Sequence, residues 1–236
     1  LNGIEKVLFI PFAGVSLNWD AYTAKVQEAL PEITVTGIHQ QDDAEKAVNN
    51  AQAILVGGGN TFNLLNEIYR QNLFKAIQQR VVSGMPYIGW SAGSNLCGLS
   101  IKTSNDMPII QPQSFSTFGF INAQINPHYT DYVAPGHNGE TRDQRIAEFC
   151  ALYPDVSVIG IREGSALLRK NNKLVLLGEQ DAVVFTGKQR DVILAGSDIS
   201  GYLRVFSASS ILFCPCFTSA RKGASISVCS DARFSA

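Results

Sequence analysis

The strongest chemical signal in the chain is Gly89-Trp90-Ser91-Ala92-Gly93. A serine spaced G-x-S-x-G marks a nucleophile elbow when an apolar strand precedes it and a helix follows. Both flanks fit, since Pro86-Tyr87-Ile88 is an apolar strand end and Asn95–Leu99 is helix-compatible. The glycines permit a sharp turn that lifts the Ser91 hydroxyl out at the end of the strand. A helix N-terminus behind it would favour developing negative charge. The same small residues also suit a plain tight turn.

Gly57-Gly58-Gly59-Asn60-Thr61 is the second signal, at the carboxyl end of the apolar run Ala53–Val56. Ligands of open parallel sheets gather at such strand ends. The N–H of Gly59 and that of Ala92, the residue after Ser91, would form an oxyanion hole. A phosphate loop would need Walker spacing and a Gly-Lys-Ser/Thr ending, which the segment lacks. Taken alone, the glycines also fit a turn into a helix. A serine nucleophile needs a base, and the chain has three histidines. His137 lies in a turn-like Pro135-Gly136-His137-Asn138-Gly139, and His39 ends the run Ile33–Ile38. His128 is the best placed, since it follows a strand-like segment and is fixed by Pro127.

Short apolar runs and helical segments alternate up to about residue 195, as a parallel sheet covered by helices on both faces requires. Strands are expected at Lys6–Pro11, Ile33–Ile38, Ala53–Val56, Met85–Trp90 and Val156–Ile161. Helices are expected at Asn18–Leu30, Ala44–Asn50, Thr61–Tyr69, Asn72–Ser83 and Arg142–Leu152. Leu167–Arg169, Lys173–Leu177 and Ala182–Thr186 read as a closing antiparallel set. Residues 1–200 are therefore expected to form a single α/β domain. Residues 201–236 form a tail rich in Ser, Ala and Cys, patterned only at Ile211-Leu212-Phe213, to which no role is assigned.

Composition narrows the function. The 236 residues carry 19 Lys and Arg against 20 Asp and Glu, a net charge of −1, whereas a nucleic-acid binder would show a basic surplus. The apolar runs are too short to span a bilayer, and the N-terminus, which begins at Leu1, lacks the features of a secretory signal. Five cysteines, Cys97, Cys150, Cys214, Cys216 and Cys229, match neither a disulfide framework nor a zinc spacing. A cytoplasmic protein without metal or cofactor is expected, acting as a monomer or homodimer with neither nucleic acid nor membrane as partner.

The runs FIPFAG (Phe9–Gly14), VGGGNTF (Val56–Phe62), IGWSAG (Ile88–Gly93), TSNDMPI (Thr103–Ile109), INPHYT (Ile125–Thr130) and GHNGETRDQRI (Gly136–Ile146) stand in the order of the peptidase E family. The chain resembles that family, the α-aspartyl dipeptidases, over roughly residues 1 to 195. The resemblance implies a class I glutamine amidotransferase-like, flavodoxin-like three-layer sandwich and hydrolysis of dipeptides with an N-terminal aspartate. It departs from the family where a first strand and helix would precede Leu1, in the tail, and at Ser94 and Cys97.

On that resemblance Ser91 is the nucleophile and His128 the base. Two acids are open for the third position. Asp106 lies fifteen residues past Ser91; Glu163 follows the strand Val156–Ile161, a placement that favours it for holding His128 in its tautomer. Arg142 is the natural fork for the substrate's carboxylate, and Asn60 and Glu140 are further candidates for substrate contacts. A cyanophycinase-like hydrolase and a catalytically silent binding protein are the alternatives. An α/β-hydrolase esterase fits less well, because its chain order is Ser, acid, His with strands between, whereas His128 comes only 37 residues after Ser91.

Overall fold

A computed structural model describes residues 3–203 and 210–214. The tail cysteines Cys216 and Cys229 lie outside the described residues. The elements run β1 (Lys6–Ile10), α1 (Trp19–Ala29), β2 (Thr34–Gly37), α2 (Ala44–Asn50), β3 (Ile54–Val56), α3 (Thr61–Arg70), α4 (Leu73–Val82), β4 (Tyr87–Trp90), α5 (Ala92–Asn95) and β5 (Gln124–Pro127). There follow α6 (Arg142–Leu152), β6 (Val158–Ile161), β7 (Ser165–Lys170), β8 (Lys173–Gly178), β9 (Ala182–Thr186), β10 (Gln189–Ile193) and β11 (Ser210–Cys214).

Local chemistry sets these boundaries. The strands β1, β3 and β4 are near-continuous apolar runs and are buried on both faces, as parallel strands under helices must be. Asn18, Asp43, Asn60 and Thr141 cap the helices that follow them, each accepting from a backbone N–H of the first turn. Helix α3 turns Leu64, Leu65 and Ile68 into the core that also takes Ile10, Ile54, Val56 and Phe213.

The strands form an α/β arrangement of two sheets. The larger has the order β2-β1-β3-β4-β11-β7-β8, parallel from β2 to β11 and antiparallel from β11 to β8. The smaller has the order β10-β9-β6-β5, with β5 and β6 parallel. Helix α5 packs against β3, β4 and β5, so it joins the ends of both sheets. The expected antiparallel set is thus divided: β7 and β8 close the larger sheet, while β9 belongs to the smaller one. Strand β10 lacks the apolar alternation that would reveal it in the sequence, because four of its five residues are exposed at a sheet edge.

Strand β11 comes from the tail and stands between β4 and β7. Its Ile211 and Phe213 are fully buried, so the three patterned residues of the tail supply the piece that unites the two halves of the sheet. Truncating a buried Phe to Ala removes about 3–5 kcal/mol of stability. Phe213→Ala should therefore lower the urea unfolding free energy by about that amount. A change within the error of the measurement would mean that β11 does not occupy this slot.

Candidate active site

Two strand registers gather the candidate residues. In the larger sheet Val56 is opposite Gly89, so the glycine loop after β3 and the turn after β4 leave the sheet side by side. Ser91 takes φ 51° and ψ −112°, a conformation rare for a residue with a side chain and suited to an elbow. Its N–H donates to the Cys214 carbonyl at 3.0 Å, and its own carbonyl accepts from Ser94 and Asn95. Ser94 Oγ donates to the carbonyls of Gly89 and Cys214, at 3.1 and 2.5 Å. The last residue of β11 thus braces the elbow from the strand side.

The glycine loop fits against the turn closely. A Cβ on Gly58 would lie 2.9 Å from Ser91 Cβ, and one on Gly59, which has φ 131°, would lie 2.2 Å from the Ala13 carbonyl oxygen. Tyr22 holds the loop: its hydroxyl accepts from the Gly58 N–H at 2.9 Å and from Trp90 Nε1 at 3.1 Å, and donates to the Gly58 carbonyl. Burial pushes the Tyr22 phenol above its ordinary pKa, which keeps it a neutral donor and acceptor. Among the described residues the N–H groups of Gly59 and Ala92 donate no hydrogen bond. Helix α5 is a single turn, Ala92–Asn95, and of the helix-compatible run Asn95–Leu99 only Asn95 is helical. So short a helix has little macrodipole, and any oxyanion stabilisation falls to these individual N–H groups.

In the smaller sheet Pro127 is opposite Ile161, so the residues that follow β5 and β6 emerge together. They are His128 and the pair Arg162-Glu163. His128 Nδ1 is hydrogen-bonded to Glu163 Oε1, and the pair is partly open to solvent. The Tyr129 N–H to Ile161 carbonyl bond, at 3.0 Å, ties the chain beyond His128 to β6. Among the described residues no hydrogen bond joins Ser91 Oγ to His128. Catalytic hydrogen bonds of substrate-free sites are often long and tighten only around substrate.

Asp106 faces elsewhere. Its carboxylate accepts from the Thr61 N–H at 2.7 Å, from Thr61 Oγ1, and from Ser104 Oγ at 3.1 Å. The loop bearing it also takes Asn60 Nδ2 on the Met107 carbonyl, and sends Asn105 Nδ2 to the Pro127 carbonyl. Asp106 therefore fastens α3 to a loop that reaches β5. Asn60 is spent in the same way, with its Oδ1 capping α3. Glu140 is exposed and faces Arg145 at 3.6 Å. His39 pairs with Asp20, and His137 contacts the Glu140 carbonyl.

Arg142 opens α6 and is half-buried. Its Nη1 donates to Asn126 Oδ1 at 3.1 Å, two residues before His128, and among the described residues it pairs with no carboxylate. Burial, and then the nearby Arg145 charge, lower its pKa from the ordinary value. A desolvated guanidinium whose partner is a neutral amide can still take a carboxylate. Among the described residues no group of three or more His, Cys, Asp or Glu is placed to hold a metal ion, and no helix is long and apolar enough to cross a membrane.

The model of peptidase family S51 matches residues 2–177. The chain belongs to peptidase family S51. It is a serine peptidase. It is 54% identical to peptidase E of Shewanella amazonensis over 199 residues, covering 83% of this chain and 85% of that protein. Peptidase E of Shewanella oneidensis is 53% identical over 203 residues, covering 85% and 86%. The crystal structure of a peptidase from an acI-B1 Actinobacterium is 18% identical, with a TM-score of 0.60 over 84% of each chain, and shares the fold.

Tyr22, the Cys214 carbonyl and the charged cluster around Asp131 have no motif that would mark them in the sequence. Asp131 is held down to about 2, from an ordinary 3.8, chiefly by the two-pronged hydrogen bond from Arg162. A carboxylate whose folded pKa is depressed gives stability that is complete above its unfolded pKa and is lost as pH falls through the folded one. Asp131→Asn should accordingly flatten the dependence of unfolding free energy on pH between about 4 and about 2, measured by urea unfolding. Separately, Gly59→Ala must push against the Ala13 carbonyl and adopt a φ that side chains avoid, so it should cost at least tenfold in peptidase kcat and lower Tm.

Proposed function

We propose that this S51 peptidase hydrolyses dipeptides with an N-terminal aspartate, through Ser91, His128 and Glu163. The supporting observation is the half-buried guanidinium of Arg142. It is docked through Asn126 on β5, the strand that His128 follows, and it pairs with no carboxylate among the described residues. A half-buried cation held only by a neutral amide is partly desolvated without a counter-charge, and an aspartate side chain from the substrate would supply one. The name peptidase E borne by the relatives agrees with a peptide substrate.

In this reading Ser91 Oγ attacks the peptide carbonyl while His128 Nε2 takes its proton. Glu163 accepts from His128 Nδ1–H, fixes that tautomer and stabilises the imidazolium that forms. The N–H groups of Gly59 and Ala92 receive the developing oxyanion. His128 then protonates the leaving amine, and a water activated by the same imidazole hydrolyses the acyl-enzyme. Asp106 holds the loops and takes no part in proton transfer.

Ser91→Ala should abolish cleavage of Asp-Leu while leaving the fold intact, and near-wild-type activity would end the assignment. Glu163→Gln should lower kcat more than it raises KM, with Asp106→Asn affecting Tm first; the opposite pattern would exchange the two roles. Arg142→Ala should reduce kcat/KM for Asp-Leu about a hundredfold, on the scale of ~3 kcal/mol for a charge-assisted pair, and barely change that for Leu-Leu. Arg142→Lys should recover only part, because an ammonium does not reproduce the fork. Equal losses on both substrates would mean that Arg142 supports the fold and reads no carboxylate.

A further inference from the structure

Each of three candidate site residues has an immediate chain neighbour in one charged network. Tyr129 follows His128, Arg162 precedes Glu163, and Asp143 follows Arg142. Tyr129 OH donates to Asp143 Oδ1 at 2.5 Å, and Arg162 donates to both oxygens of Asp131 at 2.8 Å. Arg162 also lies over the Tyr129 ring, 5.1 Å from its centroid. That ring rests on β6 where Gly160 has no side chain; a Cβ there would come within 2.7 Å of it.

Arg190, on β10, closes the network. Its Nε donates to Asp143 Oδ2 at 3.0 Å, and its Nη2 reaches Tyr129 OH at 3.1 Å and Asp131 Oδ2 at 3.5 Å. One guanidinium therefore touches the α6 start, the β5 exit and the loop beyond it. Arg162 connects that loop in turn to the β6 exit. The pairs are partly exposed and add little to global stability, so their geometry matters more than their strength. Asp131 is held at about 2, chiefly by the Arg162 hydrogen bonds, and the Tyr129 phenol is pushed up to about 12, chiefly by burial, so across neutral pH the first stays ionised and the second stays protonated.

Resting on the Asp-dipeptidase reading above, we propose that Arg190 is a positioning residue that fixes Arg142 relative to the His128–Glu163 pair through Asp143, Tyr129 and Asp131. It touches no substrate. It sets the distance between the group that reads the aspartate and the group that moves the proton, and small misplacements of such groups are expensive in rate.

The test compares wild type, Arg190→Ala, Arg190→Lys, Arg142→Ala and the Arg142→Ala/Arg190→Ala double variant on Asp-Leu. Assays are run well below each variant's Tm, with folded protein quantified by circular dichroism. Arg190→Ala should lower kcat about fivefold and raise KM about threefold per folded molecule, with Arg190→Lys recovering less than half of the loss, because one ammonium cannot span Asp143 and Asp131. In the Arg142→Ala background, Arg190→Ala should still lower kcat but should no longer raise KM. Constants within twofold of wild type for folded Arg190→Ala would overturn the proposal, as would a loss explained entirely by the unfolded fraction. Failure of the wild type itself to cleave Asp-Leu would instead overturn the substrate reading.

Discussion

A serine held at φ 51° and ψ −112° is strained by about 1–3 kcal/mol, and the surrounding structure must hold it there. Its N–H is engaged by the Cys214 carbonyl, and its carbonyl by the N–H groups of Ser94 and Asn95. Close contacts leave no room to relax. A Cβ on Gly89 would lie 2.4 Å from the Gly93 carbonyl oxygen, and one on Gly93 would lie 2.3 Å from that of Val56. The turn is therefore over-determined by three strands at once. The glycines of G-x-S-x-G are consequences of that crowding before they are features of any chemistry.

The rest of the site is arranged by register. Two parallel pairs, β3 with β4 and β5 with β6, each release two loops at the same level. One pair delivers the glycine loop beside Ser91, and the other delivers Glu163 beside His128. The loop around Asp106 spans from Thr61 to Pro127 and ties the two levels together by side-chain hydrogen bonds. Its carboxylate is tethered by Thr61 and Ser104, which suits a fastener and leaves the acidic partner of His128 to Glu163.

Much of this was legible in the sequence because it is local. The elbow, the glycine loop, the caps and the apolar runs lie within a few residues of one another and show themselves by type and spacing. The partner of His128 is non-local: Asp106 and Glu163 stand on opposite sides of it in the chain, and only the pairing of Pro127 with Ile161 separates them. Strand β10 and its Arg190 were hidden because an exposed edge strand carries no hydrophobic pattern. Division of the strands into two sheets was hidden as well, since β9 reads as a continuation of β7 and β8 but turns to pair with β6. Ser94 stands out in the sequence only as a departure from the family pattern, yet its hydroxyl joins the elbow to the tail strand.

That last bond joins residues 120 positions apart. Until β11 arrives, β4 has an open edge and the β7–β8 hairpin has no strand through which to reach it. Synthesis proceeds at about 5–20 residues per second, so on the order of 6–24 s separate the emergence of the serine turn from that of the carbonyl that braces it. During that interval the apolar edge of β4 is available for wrong pairing, and contacts so distant in sequence form slowly. Nascent chains of this protein would therefore pass through a half-sheet stage in which the strained serine turn still lacks its brace from Cys214.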